Sequence, residues 1–165
     1  MADKTLSERL QPSLLDRLTD DAPEDRLESR DQRVIDIRRL REIVQRDLSW
    51  LLNTANNEDW IDPDRFPHAA RSVINYGVET VSGEFSTEAR AEKIRLSIAR
   101  AIEAFEPRIR RGTTRVEMRT DNVARRVTIN YDIRSEMWAE PIPVELFLRS
   151  SVDVTTGEVT LERTG

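Results

Sequence analysis

The chain has 165 residues, of which 38% are hydrophobic and 35% charged, with 26 Lys and Arg against 31 Asp and Glu for a formal net charge of -5. There is no Cys and one His, which excludes a disulfide framework, a thiolate nucleophile, an iron-sulfur cluster and a Cys- or His-rich metal site, while the acidic balance argues against gripping nucleic acid through bulk positive charge. What remains is carboxylate chemistry or no chemistry, in a cytoplasmic protein: no apolar run approaches the roughly 20 residues of a membrane helix, and Met1-Ala2-Asp3-Lys4-Thr5 lacks the apolar core of a secretory signal.

The first residues are dominated by Asp, Glu, Arg, Ser and Pro, with one apolar cluster at Leu14, Leu15 and Leu18. Pro12 followed by Ser13-Leu14-Leu15-Asp16-Arg17-Leu18 reads as a turn or two of amphipathic helix, too short to be stable alone. The expected organisation is a mostly extended N-terminal arm over residues 1–28, either solvated or docked on a neighbouring subunit, and a single domain over residues 29–165. A long helix is predicted from about Asp31 to Asn53: Ser29 and Gln32 have capping-box spacing, and Ile37, Leu40, Val44, Leu48 and Leu51 form a stripe with Val34, Ile43 and Leu52 at its margins. Trp60 to Phe85 reads as irregular, limited by Pro63 and Pro67, with a short helix across Ala69 to Tyr76. A second long helix, capped by Ser86 or Thr87, carries Ala91, Ile94, Ile98, Ala101, Ile102 and Phe105 on one face and ends near Glu106 because Pro107 disfavours helix at the residue before it. Leu96 lies opposite that stripe, as an isolated surface leucine or a partner contact.

After Gly112 the period becomes two. Thr114, Val116 and Met118 mark one strand and Val127, Ile129, Tyr131 and Ile133 a second, joined by an Asp121-Asn122 turn. Val144, Leu146, Leu148, Val152 and Val154 mark a third, and Thr155-Thr156-Gly157 turns it into a fourth with Val159 and Leu161. Helices first and strands after is the α+β pattern. The expected architecture is a four-stranded antiparallel sheet with two long helices on one face.

Few residues offer chemistry. His68 and Ser72 have the spacing of one helical face, but no nucleophile elbow surrounds them. With 31 acidic residues, paired carboxylates of the glycosidase kind arise by chance; Glu106 stands out at a helix end, yet neighbouring Arg108 argues against a general acid. Trp50, Trp60 and Trp138 are candidates for a stacking platform, although Trp50 fits the helix-helix core and the other two fit loop anchors. Arg108, Arg110 and Arg111 are candidates for a phosphate grip or for complementing the helix dipole. The sheet must have edges, and an open edge is a template for a strand from another chain, which favours an assembly component over an enzyme.

Four stretches, Pro12 to Leu18, Arg46-Asp47-Leu48-Ser49-Trp50-Leu51-Leu52-Asn53-Thr54, Ser72-Val73-Ile74-Asn75-Tyr76-Gly77 and Phe105-Glu106-Pro107-Arg108-Ile109, together closely resemble the TssE family, the baseplate subunit of the bacterial type VI secretion system, related to a wedge protein of contractile phage tails that acts as sheath initiator. The resemblance implies a structural wedge subunit at the baseplate docked to the inner-membrane complex. It implies partners TssF, TssG and TssK in the wedge and TssB and TssC in the sheath, without cofactor, metal, nucleic acid or direct membrane insertion. It also implies that Glu106, Pro107 and Arg108 attach the subunit to the wedge core while the sheet meets the first sheath ring. Because relatives have been labelled lysozyme-like, the alternative is a muramidase using paired carboxylates.

Overall fold

The computed structural model describes residues 13–19, 23–24, 37–80, 88–119, 128–138 and 143–163. In chain order these form α1 (Leu14–Leu18), α2 (Ile37–Leu52), α3 (Pro67–Ala70), a 3-10 turn (Val73–Asn75), α4 (Glu88–Phe105), β1 (Arg115–Met118), β2 (Thr128–Met137), β3 (Val144–Asp153) and β4 (Val159–Arg163). The anticipated starts of the two long helices, with Ser29, Gln32 and Val34 in one and Ser86 and Thr87 in the other, lie outside the described residues, as do the Asp121-Asn122 turn and Val127.

The strands make one antiparallel sheet in the order β1-β2-β3-β4, and one of its faces packs on α2 and α4. Alternation decides which side faces inward: along β2, Ile129, Tyr131, Ile133, Ser135 and Met137 are all buried, and along β3 so are Leu146, Leu148, Ser150 and Val152. They join Leu40, Ile43, Val44, Leu48, Leu51 and Leu52 of α2 and Ala91, Ile94, Ile98, Ala101 and Ile102 of α4 in one core. The fold is α+β, with both long helices on the sheet. Tyr131 reaches through this layer to donate its hydroxyl to the Ala91 carbonyl at 2.8 Å, a buried bond that satisfies the one polar atom of a large ring.

Several details differ from the sequence reading. Ile43 and Leu52 are central to the helix stripe, whereas Ile37 is exposed. Trp50, expected in the core, is 51% exposed, because it shares the face of Arg46 one turn earlier, opposite the buried stripe. Trp60 and Trp138 lie outside regular elements, but their side chains are turned to solvent rather than anchoring the chain. The short helix divides at Arg71 into α3 and the 3-10 turn. β2 runs on to Met137 past the polar stretch at Arg134 to Glu136, because Ser135 is small enough to be buried in the alternation. Met118 is exposed at the end of the edge strand.

Two local devices fix the connections. Gly77 has φ +122°, and a Cβ there would collide with the Thr54 carbonyl; its freedom lets Val78 pair with Ala55 and donate to Thr54 O at 2.8 Å. The connector after α2 is thereby folded back onto that helix's end. At the β3–β4 turn the Asp153 carboxylate accepts from the amides of Thr155 and Thr156 at 2.7 and 3.1 Å, and these bonds hold its pKa below the usual value, the mark of an Asx turn.

Candidate functional site: an ion-paired junction

α4 ends where Pro107 forbids another helical residue. The Glu106 amide still bonds Ile102 O at 3.0 Å, after which the chain turns onto the end of β2. There Arg110 N donates to Glu136 O and Trp138 N to Arg108 O, both at 2.8 Å, and Ile109 is buried opposite Met137. Pro107 is exposed at the crest of this turn. Glu106, one residue away, is directed inward.

The Glu106 side chain is only 4% exposed. Its Oε1 accepts from the Arg108 amide at 3.0 Å and from Arg108 Nε at 2.7 Å, and its Oε2 accepts from Nη2 at 2.5 Å. The same Nη2 donates to Asp47 Oδ2 on α2 at 2.6 Å. Asp47 Oδ1 in turn accepts from Arg46 Nε and Nη2 at 2.9 and 2.7 Å, and Arg46 Nη1 meets Asp16 Oδ1 of α1 at 2.8 Å. The result is a relay of alternating charge, Glu106, Arg108, Asp47, Arg46, Asp16, that ties α1, α2 and the end of α4 together.

Electrostatics follows from the packing. Burial alone lowers the Arg108 pKa, but the bonds to Glu106 and then Asp47 outweigh it and leave the guanidinium more firmly protonated than usual. Arg46 behaves alike, burial being overcome by Asp47 and Asp16. At Asp16 burial raises the pKa, while the Ser13 hydroxyl and Arg46 more than compensate and leave it lowered. The Tyr76 hydroxyl is pushed up by burial and by the negative charge of Asp47 and Glu106. Its ring packs edge-on against Phe105 at 5.3 Å, which brings the Ser72 to Gly77 stretch to the same place.

Other candidates separate. His68 is exposed in α3, and the break at Arg71 removes the shared helical face with Ser72, whose Oγ donates to Ala69 O and accepts from Ile74 N to cap the 3-10 turn. Arg110 pairs with Glu136 at 3.4 Å while Arg108 points inward, so the arginines do not converge on a phosphate. Two Trp residues border the junction, Trp138 through its amide, which donates to Arg108 O at 2.8 Å, and Trp50, with the Arg46 guanidinium 4.8 Å above its ring. Both oxygens of Glu106 are taken by Arg108, an arrangement suited to holding a turn and not to donating a proton. Leu96 is 41% exposed on α4. Among the described residues no group of His, Cys, Asp and Glu is placed to hold a metal ion, and no helix is long and apolar enough to cross a membrane.

Asp47 escapes a sequence reading as a partner of Arg108 because it lies 61 positions away, and the Arg46–Asp47 pair escapes it because adjacent residues do not ordinarily face one another on a helix. The family model described as baseplate wedge protein gp25 matches residues 38–141, which spans α2, the junction, β1 and β2. The chain belongs to the baseplate wedge protein gp25 family. TssE belongs to the same family. The gp25-family match includes Arg46, Asp47, Tyr76 and Glu106-Pro107-Arg108, whereas α1, β3 and β4 lie outside it. No curated protein and no solved structure gave a match. As a gp25-family protein, the chain is a baseplate structural component.

Proposed function

We propose that this protein is the TssE-type wedge subunit of a bacterial type VI secretion baseplate, a structural part that links the wedge core to the first ring of the contractile sheath and helps to initiate sheath assembly. The observation that carries the reading is the convergence of all four TssE-like stretches on one junction: Asp16 from the first, Arg46, Asp47 and Trp50 from the second, Tyr76 from the third and Glu106-Pro107-Arg108 from the fourth. A relay built from distant segments holds an exposed proline and a 27%-exposed arginine in one fixed orientation, which suits docking more than turnover. In this reading Pro107 and the outer side of Arg108 touch the wedge proteins TssF, TssG and TssK, and Glu106 positions them from beneath.

Contact with TssB and TssC then falls to the sheet, and strand addition at β1 is favoured over β4. The outward backbone groups of β4 are the more fully engaged: Asn53 exchanges hydrogen bonds with Val159 N and O at 2.9 and 2.8 Å and Gln45 donates to Leu161 O at 3.0 Å, against one longer bond on β1, from Arg95 Nη1 to Val116 O at 3.4 Å. Residues 1–28 serve as an arm and residues 29–165 as one domain, in the cytoplasm at the baseplate docked to the inner-membrane complex. The role calls for no cofactor, metal, nucleic acid or membrane insertion, and no observation favours muramidase activity. Co-expression with TssF, TssG and TssK tests it: the full chain is expected to co-purify with them, and failure to co-purify at any salt concentration would sink the reading.

A further inference from the structure

The connector after α2 satisfies its own backbone with its polar side chains and leaves apolar ones to solvent. Asn57 donates through its amide to Asn75 Oδ1 at 3.0 Å and through Nδ2 to Ile74 O at 2.6 Å, and Asn75 Nδ2 donates to Ala70 O at 3.0 Å. Asp62 Oδ1 accepts from the amides of Asp64 and Arg65 at 3.0 and 3.2 Å. Irregular backbone needs such partners, and here they close residues 57–75 into one unit. Trp60 N bonds Asn57 O at 2.9 Å, so the bonds of Asn57 bring the Trp60 turn against Ile74. Trp60 is 89% exposed and Val73 80%, Phe66 and Ile74 are exposed as well, and none of the four belongs to the core or to the residues packed on it. One exposed apolar side chain is ordinary; four on one folded connector form a surface that stability does not require.

We propose that this connector is a docking surface for the TssF–TssG pair, which offers an apolar hollow for the Trp60 indole and a cationic rim for Asp59 and Asp64. Place and charge decide the occupant. Tyr76 follows directly, its amide bonded to Val73 O at 3.2 Å and its ring against Phe105, one residue before Glu106. The connector is thus continuous with the surface that Pro107 and Arg108 present to the wedge. Arg65 lies over the Phe66 ring at 5.3 Å and Arg100 pairs with Glu58 at 3.7 Å, whereas Asp59 and Asp64 are exposed and have no ion pair among the described residues. An exposed tryptophan with anionic neighbours suits a pocket edged by Lys or Arg. The same carboxylates oppose an anionic lipid surface, and a second copy would set acid against acid. The inference rests on the proposed function and deepens it by naming a second part of the wedge contact.

The experiment uses the full chain, with TssF–TssG, TssK and TssB–TssC as separate probes. Trp60→Ser combined with Ile74→Ser should leave Tm unchanged, because both side chains are exposed. It should weaken TssF–TssG binding about tenfold or more at low and high salt alike, as loss of an apolar contact does. Asp59→Lys combined with Asp64→Lys should weaken it too, by a factor that shrinks as salt rises. Unchanged affinity of either double variant for TssF–TssG overturns the inference, as does a loss confined to another probe. So does a marked fall in the Tm of the serine variant, which would place these side chains under another part of the chain. A dimer of the isolated chain, or binding to anionic vesicles, that the serine variant abolishes overturns it as well. If wild type binds none of the probes, the proposed function itself fails. If Arg108→Ala weakens TssF–TssG binding and the connector variants do not, only this inference falls.

Discussion

Arg108 is the residue on which the junction depends. Among the described residues, the Glu106 side chain is hydrogen-bonded by the guanidinium and the amide of Arg108, and the guanidinium bridges to Asp47. Arg108→Ala leaves the Glu106 carboxylate without its cation, with the residue-108 amide and water entering where the side chain stood as its donors. The expected cost is ~2–3 kcal/mol, below the ~3–5 kcal/mol of a fully buried pair broken on one side, because Arg108 retains solvent contact. Since small domains have about 5–15 kcal/mol of stability, the variant should remain folded at room temperature with a lowered Tm; thermal denaturation checks both. Glu106→Gln should cost less, because the amide oxygen still accepts from Arg108 and Asp47 still balances the charge. Asp16 makes a prediction of its own. Its folded pKa lies below the ordinary 3.8, so its pairing with Arg46 contributes fully above that value and is lost as pH falls through the lowered one. An NMR titration of Asp16 should give a midpoint below 3.8, and Asp16→Asn should abolish the associated shift at Arg46. A midpoint at or above the ordinary value would contradict the pairing.

Among elements, α1 and the connector carry opposite expectations. α1 contains no buried residue and is fastened to the fold by Asp16, so deleting residues 1–28 should spare the domain and move Tm little; unfolding of the truncated chain would show that the arm belongs to the core. Gly77→Ala should instead destabilise by about 1–3 kcal/mol from backbone conformation alone, and more through the collision with Thr54 O, as denaturant titration would register. The same elements show what could be read from sequence. α2 and α4 were legible because burial repeats every three to four residues, and Pro107 fixed where α4 stops. β3 and β4 were legible because alternation continues almost unbroken to a glycine turn. Ser135 hid the far end of β2, since a buried serine looks like a surface residue in a polar run. Trp50 misled because residue size suggested burial, whereas its angular position on the helix decided exposure. The relay was illegible as chemistry: its members are spread from Asp16 to Arg108, and no local spacing announces an ion pair between elements.

For the whole molecule, the layers divide the tasks. The helix-sheet core holds the junction at one corner, where α4, α2 and the end of β2 meet. Glu106-Pro107-Arg108 stood out in the sequence, and the fold supplies the reason for its rigidity, namely the backbone bonds to β2 and the guanidinium shared with Asp47. The most direct test is the affinity of the full chain for purified TssF–TssG, measured for wild type, Arg108→Ala and Val152→Ala at a temperature where all three are folded. Val152→Ala serves as the destabilised control, because Val152 is buried between Ile129 and Val159, at the other end of the sheet from the junction, and offers no surface. If the junction is the attachment point, Arg108→Ala should bind at least about tenfold more weakly, on the order of 1.4 kcal/mol, while Val152→Ala binds as wild type does. Equal binding by all three, or an equal loss in both variants, would contradict the junction as the site where this subunit joins the wedge.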